Sequence, residues 1–563
     1  MRLRRSPREI GFRLRQEIRN LALLVNPPRL KHIAAPATPL AGMPDPSELA
    51  EPLPEAELQE LAAQIREHRF PILGLTVETG PEIAWRRDYV HGKETGTDYF
   101  RLIPFLDAAK AGDHKIIWEL NRHQHLVILA QNGDLEEIVS QLKSWFRANA
   151  FQRGINWASA LEVGFRALSW IWVYHLIGDR FPSAFRTEFL QQLYWHGCHL
   201  ENNLSFYFSP NTHLLGEAVA LHALGFLFPQ FPAARHWREL GGKVVREQME
   251  RQVHGDGSHF EQSTYYHVYA LDMLRFTARL EQVSWPVLDC MVEFRDAVTG
   301  PSGRLPLFGD DDGGHFFQPY GRRPLVACST PSKLFPDIGM AVMTAGPVHI
   351  VIDAGPFGPW SSGHSHSDTL SFVVRIGEED VLIDAGTYTY VGDPVERERF
   401  RGSAAHNTLR IDGRDQAVPA GPFGWKNQPR VKIHNWSSSD AEDTLDAECN
   451  YAGFTHRRRF RLVRADGVLF VSDEVTGPAG EHEVEQFWHL GSEQARQRIV
   501  LPEVPEEVEG WASSVYGEKH RVPALRVVKR GPLPMRFEAS ILLSPSLSFI
   551  NPFPALINPF PVP

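Results

Sequence analysis

Cysteine is scarce. Cys198, Cys290, Cys328 and Cys449 are the whole supply in 563 residues, and no two form a CxxC pair. That spacing excludes a thiolate zinc ribbon and a dense disulfide framework, and leaves isolated buried thiols as the expected use. Long apolar runs are missing too. Nothing reaches the roughly 18–20 residues that span a bilayer. The strongest run, Trp170 to Ile177, is flanked by Glu162, Arg166 and Asp179 and reads as a buried helix. Positive charge is in deficit, with 58 Lys plus Arg against 68 Asp plus Glu and a formal net charge of −10. No overall field attracts phosphate, so nucleic acid is not an expected partner, and an anionic ligand needs a locally basic groove. A cleavable secretory signal is not legible either. The N-terminus is basic, with Arg2, Arg4, Arg5, Arg8, Arg13, Arg15 and Arg19, but its apolar core at Leu21 to Val25 is too short. A basic surface helix is the expectation there, and stable membrane anchoring would need a second signal.

What is present is ordinary globular material: 43% hydrophobic and 22% charged residues, enough for large cores. Pro27, Pro28, Pro36, Pro39, Pro44, Pro46, Pro52 and Pro54 break residues 1–55 into a basic leader and an irregular strap. From residue 56 to about 325 large apolar residues recur three or four apart. Helices are expected over 113–131, 157–178, 213–228 and 260–282. The frequent Trp and Tyr suit an aromatic core, and equally a groove that stacks sugar rings. From 326 to 550 the pattern turns to short β-rich runs at 348–353, 369–376, 380–384, 458–464, 467–473 and 483–490, separated by turns such as Asp412-Gly413. An antiparallel sandwich follows, making the chain an α+β multidomain protein. The stretch FGDDDGG (308–314) reads as a solvated turn. The tail 551–563 reads as a Pro-rich strap.

Four clusters carry chemistry. In SPNTHLLGE (209–217), Asn211 is either a helix N-cap or a polar site group. His213 and Glu217, four apart, share a helix face. In DGSHFEQSTYYHVY (256–269), His259, Glu261, Gln262, Tyr265, Tyr266 and His267 crowd the start of a helix expected from Ser258. In GHSHSDTLSF (363–372), His364, His366 and Asp368 alternate ahead of a strand. The HxHxD spacing suggests a metallo-β-lactamase, but residue 369 is Thr where that superfamily needs His, and the context is wrong. In 383–413, Asp384 ends one apolar strand and His406 starts another. With His366 they make two His and one carboxylate, a set that suits zinc with one open position. Glu162 and Arg166 read as a helix-surface ion pair.

Taken in order, NTHLLGE, DGSHFEQSxxYH, HSHSD and DAGTYxY with AHNTL resemble the heparinase II/III-like polysaccharide lyases over residues 90–480; WELNRHQHL (118–126) also resembles an N-terminal block of that family. The resemblance implies an (α/α) toroid followed by a β-sandwich, with the site between them. It implies β-elimination on a uronic-acid-containing polysaccharide. A C–H beside a carboxylate is a very weak acid, so the carboxylate must be neutralised while a base takes the proton and an acid meets the leaving oxygen. By motif position Asn211 would bind the carboxylate, with His213 assisting. Tyr266 would act as base, acid or both, His364 would neutralise the carboxylate or act as a second acid/base, and Tyr390 is a further catalytic candidate. Arg122, Glu217 and Glu261 are candidate substrate contacts. His366, Asp384 and His406 match the family's zinc ligands, a metal expected to be structural. The sequence departs from many relatives in having Thr212 where they carry Asn. Tyr265 and Tyr266 point about 100° apart on a helix, so only one can face the cleft. Two other classes stay open: a toroid glycoside hydrolase using carboxylates from Glu217, Asp256 and Glu261, and a non-catalytic glycan-binding protein.

Overall fold

A computed structural model of the chain describes residues 5–31, 34–316, 321–322 and 327–544. The strap expected at 551–563 lies outside the described residues. From Pro7 to Thr299 the chain is mainly helical: α1 (Pro7–Val25), α2 (Glu55–Arg66), the single turn α3 (Ala108–Ala111), α4 (His114–Asn121), α5 (Gln124–Asn132), α6 (Leu135–Ala148), α7 (Ala160–Ile177), α8 (Ser183–Asn203), α9 (Thr212–Leu227), α10 (Ala234–Gln252), α11 (Thr264–Glu281) and α12 (Val287–Thr299). Together they form the expected toroid. α9 is apolar nearly all round because α7, α8, α10 and α11 all pack against it. The aromatics mostly fill the core: Trp85, Trp145, Trp157, Trp170 and Trp237 are fully buried.

Two expected helices end or begin elsewhere. The run 113–131 is cut into α4 and α5 by His123, whose φ is +57°. The break turns two side chains inward. Arg122 reaches Glu162, and His123 Nδ1 accepts from the Trp170 indole at 2.9 Å. The helix expected from Ser258 starts instead at Thr264. Gly257 and Gln262 both have positive φ, and the Asp256 side chain accepts from the Ser258 N–H to make a tight turn. Ser263 then caps the helix by accepting from the Tyr266 N–H. His259 and Glu261 therefore sit on a loop, and Tyr266 in the first turn of α11.

Strands of the C-terminal half, numbered from Lys333, build three antiparallel sheets. The first contains β1 (Lys333–Phe335), β2 (Met340–Ala345), β3 (Val348–Asp353), β4 (Phe372–Ile376) and β5 (Glu379–Leu382), in order β5-β4-β3-β2-β1. The second contains β6 (Leu409–Ile411), β11 (Glu481–His489), β14 (Glu518–Pro532) and β13 (Glu506–Val515). The third runs β7 (Arg430–Ser438), β8 (Glu442–Tyr451), β9 (Phe454–Val463), β10 (Val468–Thr476), β15 (Met535–Leu542) and β12 (Ile499–Val500). β8 and β9 alternate strictly between buried and half-buried residues, as a one-sided sheet must. Arg458 on β9 grips Asp473 at 2.6 and 2.9 Å and donates to the carbonyls of Leu370 and Asn407. It thereby pins the two loops that carry His366 and His406. A short helix, α13 (Pro394–Arg401), capped by Asp393, lies between β5 and β6.

The backbones of α9 and α10 touch. A Cβ on Gly241 would lie 2.6 Å from the His222 nitrogen and 2.8 Å from the Ala218 oxygen. Because these are backbone atoms, Gly241→Ala must push α9 aside. A loss of about 1–3 kcal/mol is expected, read from chemical denaturation. A midpoint equal to that of the native protein would refute the close packing.

Candidate active site

The candidate residues from distant parts of the chain meet at one place. The ring of His364, on the β3–β4 connection, stacks on the ring of Tyr266 with centroids 3.8 Å apart. The Tyr266 hydroxyl is 3.2 Å from that of Tyr390. His364 Nε2 is 3.5 Å from Glu261 Oε1, and the same carboxylate accepts from the Asn211 amide. Asn211 Oδ1 caps α9 by accepting from the His213 N–H at 3.2 Å and lies 3.1 Å from His213 Nδ1. The N-cap and the site group are thus one residue. Thr212 is buried. Tyr265 stacks against Tyr269 inside the helical core, so Tyr266 is the phenol turned toward His364. Tyr266, His364, Tyr390 and Glu261 are buried, while Asn211 and His213 are half-buried and mark the open side.

Under His364 lies Asp310, which is fully buried. Arg397 on α13 holds it with two hydrogen bonds, at 2.5 and 2.9 Å, while lying over the Tyr390 ring. The same carboxylate lies 3.2 Å from His364 Nδ1 and 2.9 Å from His366 Nε2. The expectation that FGDDDGG is a solvated turn is therefore wrong. Asp312 is also buried and binds Lys115 at 2.9 Å. Turn composition looks alike whether its acids meet water or buried cations. The sheets are tied to α4 by Tyr516, whose hydroxyl donates to Asp113 at 2.7 Å and accepts from the Tyr390 N–H.

Two expected substrate contacts point elsewhere. Arg122 is 1% exposed and is locked to Glu162 at 2.7 and 3.0 Å and to Glu119. It is a buried strut under Tyr269, not a group open to ligand. This also corrects the Glu162–Arg166 surface pair. Both are buried, and Arg166 instead donates to His196 and to the carbonyls of Asn121 and Asn156. Glu217 is buried and turned to Ser205, whose N–H and hydroxyl donate to its two oxygens at 2.7 Å. Helical spacing gives the face of a side chain but not its neighbour.

The charge states differ sharply. Burial opposes charge on Asp310, but Arg397 and the two histidines outweigh it and hold its carboxyl well below the ordinary range. Burial likewise opposes charge on His364, but the Asp310 hydrogen bond and the Glu261 and Asp310 carboxylates raise its pKa above the ordinary histidine value. Burial, aided by nearby His364, pushes His213 down to about 4. With Nδ1 directed at the Asn211 carbonyl oxygen, the neutral ring of His213 leaves Nε2 as its lone-pair nitrogen. Burial, with Asp312, Tyr390 and Asp310 adding to it, pushes the Tyr266 phenol well above its usual value.

Next to this cluster, His366, Asp384 and His406 offer ligand atoms all within 4.8 Å of one another. His406 Nδ1 is 2.8 Å from Asp384. His366 Nδ1 and His406 Nε2 are buried and have no hydrogen-bond partner among the described residues. Two orphaned imidazole nitrogens beside a buried carboxylate are a donor set that fits zinc. Asp368 is buried alongside, and burial together with the nearby Asp384 raises its pKa.

Two family models match in succession: the heparinase II/III N-terminus over residues 46–286, and the heparinase II/III-like C-terminal model over residues 328–545. The chain belongs to the heparinase II/III-like family. It is similar to a heparin-sulfate lyase of Pedobacter heparinus, 23% identical over 427 residues, covering 66% of this chain and 62% of that protein. It is also similar to a heparin-sulfate lyase of Bacteroides thetaiotaomicron, 36% identical over 329 residues, covering 49% of this chain and 45% of that protein. The chain thus spans less than two thirds of the length of these curated relatives. A crystal structure of heparinase III superposes with a TM-score of 0.66 at 16% identity, over 93% of this chain and 90% of that one. The shared fold is the toroid with its sandwich.

Glu217 supplies a pH test. Burial pushes its carboxyl up to about 8, from an ordinary 4.5. The protonated form favours the fold, so this contribution is complete below about pH 4.5 and is lost as pH rises through about 8. Denaturant stability of the native protein should fall across that window more than that of Glu217→Gln, whose amide cannot ionise. Parallel profiles would refute the shift.

Proposed function

We propose that the chain is a polysaccharide lyase that cleaves a uronic-acid-containing polysaccharide by β-elimination. The observation that carries this reading is the His364–Tyr266 stack at 3.8 Å, linked through Glu261 to Asn211. An amide, an imidazole and a phenol so share one small volume. Their charge states divide the work. Protonated His364 and the Asn211 amide neutralise the uronate carboxylate and stabilise the enolate-like intermediate. Neutral His213, through Nε2, removes the C5 proton. Tyr266 keeps its phenol proton and gives it to the departing C4 oxygen, with Tyr390 next in line to replace it. The electron pair from C5–H becomes the C4=C5 double bond as the C4–O bond breaks. One product ends in an unsaturated uronate that absorbs in the ultraviolet.

The hydrolase reading needs two carboxylates facing a common bond. Glu217 is engaged by Ser205, and Asp256 binds Ser258 and the Asp337 N–H, so neither pairs with Glu261. The anionic polysaccharide named for the relatives, heparin sulfate, fits the uronate class. The catalytic motifs themselves bring no Lys/Arg cluster for dense sulfation. Zinc is the proposed metal at His366, Asp384 and His406. Its role is to hold the His364–His366 connection against the loop that ends at His406.

Incubation with heparan sulfate, alginate and other uronate polysaccharides should give new ultraviolet absorbance with at least one. Tyr266→Phe and His364→Ala should each lower the rate by on the order of 10²–10⁴-fold. Saturated products would support hydrolysis, and unaltered rates in both variants would sink the assignment. Elemental analysis should find about one zinc per chain, lost in His406→Ala with a lowered melting temperature. Intact protein free of zinc would remove the metal from the proposal.

A further inference from the structure

α1 is docked with its polar side inward. Asn20 is fully buried, donating to Asn203 at 2.9 Å and accepting from Asn202 at 2.6 Å and Gln152 at 3.0 Å. Gln16 donates to the Asn202 carbonyl, and Glu17 accepts from the Tyr99 hydroxyl. Of the large apolar residues, Phe12 packs edge-on against Phe206 and Leu23 packs against the helical core, both on the inner side. The outer side is the reverse of what a globular surface normally shows. Ile10, Leu14, Ile18, Leu21 and Val25 are 54%, 62%, 58%, 47% and 83% exposed. At 100° per residue these five fall in a sector of about 80°. Arg8, Arg15 and Arg19 run beside it in a second exposed stripe, and none of the three has an acidic partner among the described residues. From Arg5 to Val25 there are five arginines against two glutamates, in a chain whose net charge is −10. Exposed Tyr207 and Phe208 lie beside the start of the helix, with Tyr207 5.1 Å from the Phe12 ring.

We infer that the outer face of α1 docks on an anionic lipid bilayer. An aliphatic stripe flanked by unpaired arginines is the pattern of a helix lying in the membrane interface, its apolar side among acyl chains and its cations at the headgroups. Tyr207 adds an amphipathic ring at the same level. A second copy of the chain is a poorer occupant, since pairing two such faces brings like-charged arginine stripes together. The segment 204–210 then leads directly to Asn211, so docking would set the open side of the site close to the membrane. The inference stands whether or not the chain is a lyase.

Vesicle flotation of the full chain tests it. Binding is expected to phosphatidylcholine vesicles containing phosphatidylglycerol, and to weaken at high salt. Ile18→Glu and the pair Arg15→Gln with Arg19→Gln should each reduce bound protein about tenfold or more. All three side chains are exposed, so the melting temperature should not move. The inference is overturned if the native chain binds no anionic vesicles, if it binds neutral vesicles equally, or if Ile18→Glu binds as the native chain does. A concentration-dependent dimer dissolved by Ile18→Glu would overturn it in favour of self-association.

Discussion

One buried carboxylate organises the centre of this molecule. Asp310 takes both arms of Arg397 and touches His364 and His366. A lone charge at full burial would be prohibitive, and a bidentate guanidinium offsets that cost only because the geometry is close to ideal. The same contact has two further effects. It favours the charged form of His364, the form that suits an anionic ligand. It also fixes the ring of His366 with one nitrogen bound and the other turned to a buried space. Two neighbouring clusters, one suited to a sugar and one to a metal, are therefore oriented by a single side chain.

A second layer of charge supports the first. Lys115, Asp312, Glu119, Arg122 and Glu162 form a buried chain of ion pairs on the toroid side. Asp312 adds to the field that keeps the Tyr266 phenol protonated. Most of these groups never meet solvent, so their effect on the site is electrostatic and geometric. Basic side chains inside an acidic protein are here the partners of its own carboxylates.

Periodicity made the helices and strands legible, because a 3.6-residue or two-residue repeat is written in local sequence. Asn211, Tyr266, His364, Tyr390 and the His366–Asp384–His406 set were visible as motifs, and they do come together. Asp310 and Arg397 were not. An acid in DDDGG resembles any turn, and Arg397 in VERERF resembles any solvated helix; their meaning lies in a contact 87 residues apart. Arg122 and Glu217 were misassigned for the related reason that spacing names a face and not its neighbour. The start of α11 was missed because the left-handed Gln262 carries no local signature.

Asp310 sits in the segment that joins the helical and β halves; its carboxylate's partners come from the β half, while its backbone carbonyl accepts from Ser263 at the start of α11. The groups of the candidate site likewise come from both: Asn211 and Tyr266 from one, His364 and Tyr390 from the other. Neither half alone therefore holds the whole candidate site. The two halves are also joined by apolar packing, since Phe294, Ala297 and Val298 of α12 cluster with Phe335, Met340, Val342 and Val351 of the first sheet, so drawing them apart would open this cluster and the candidate site together.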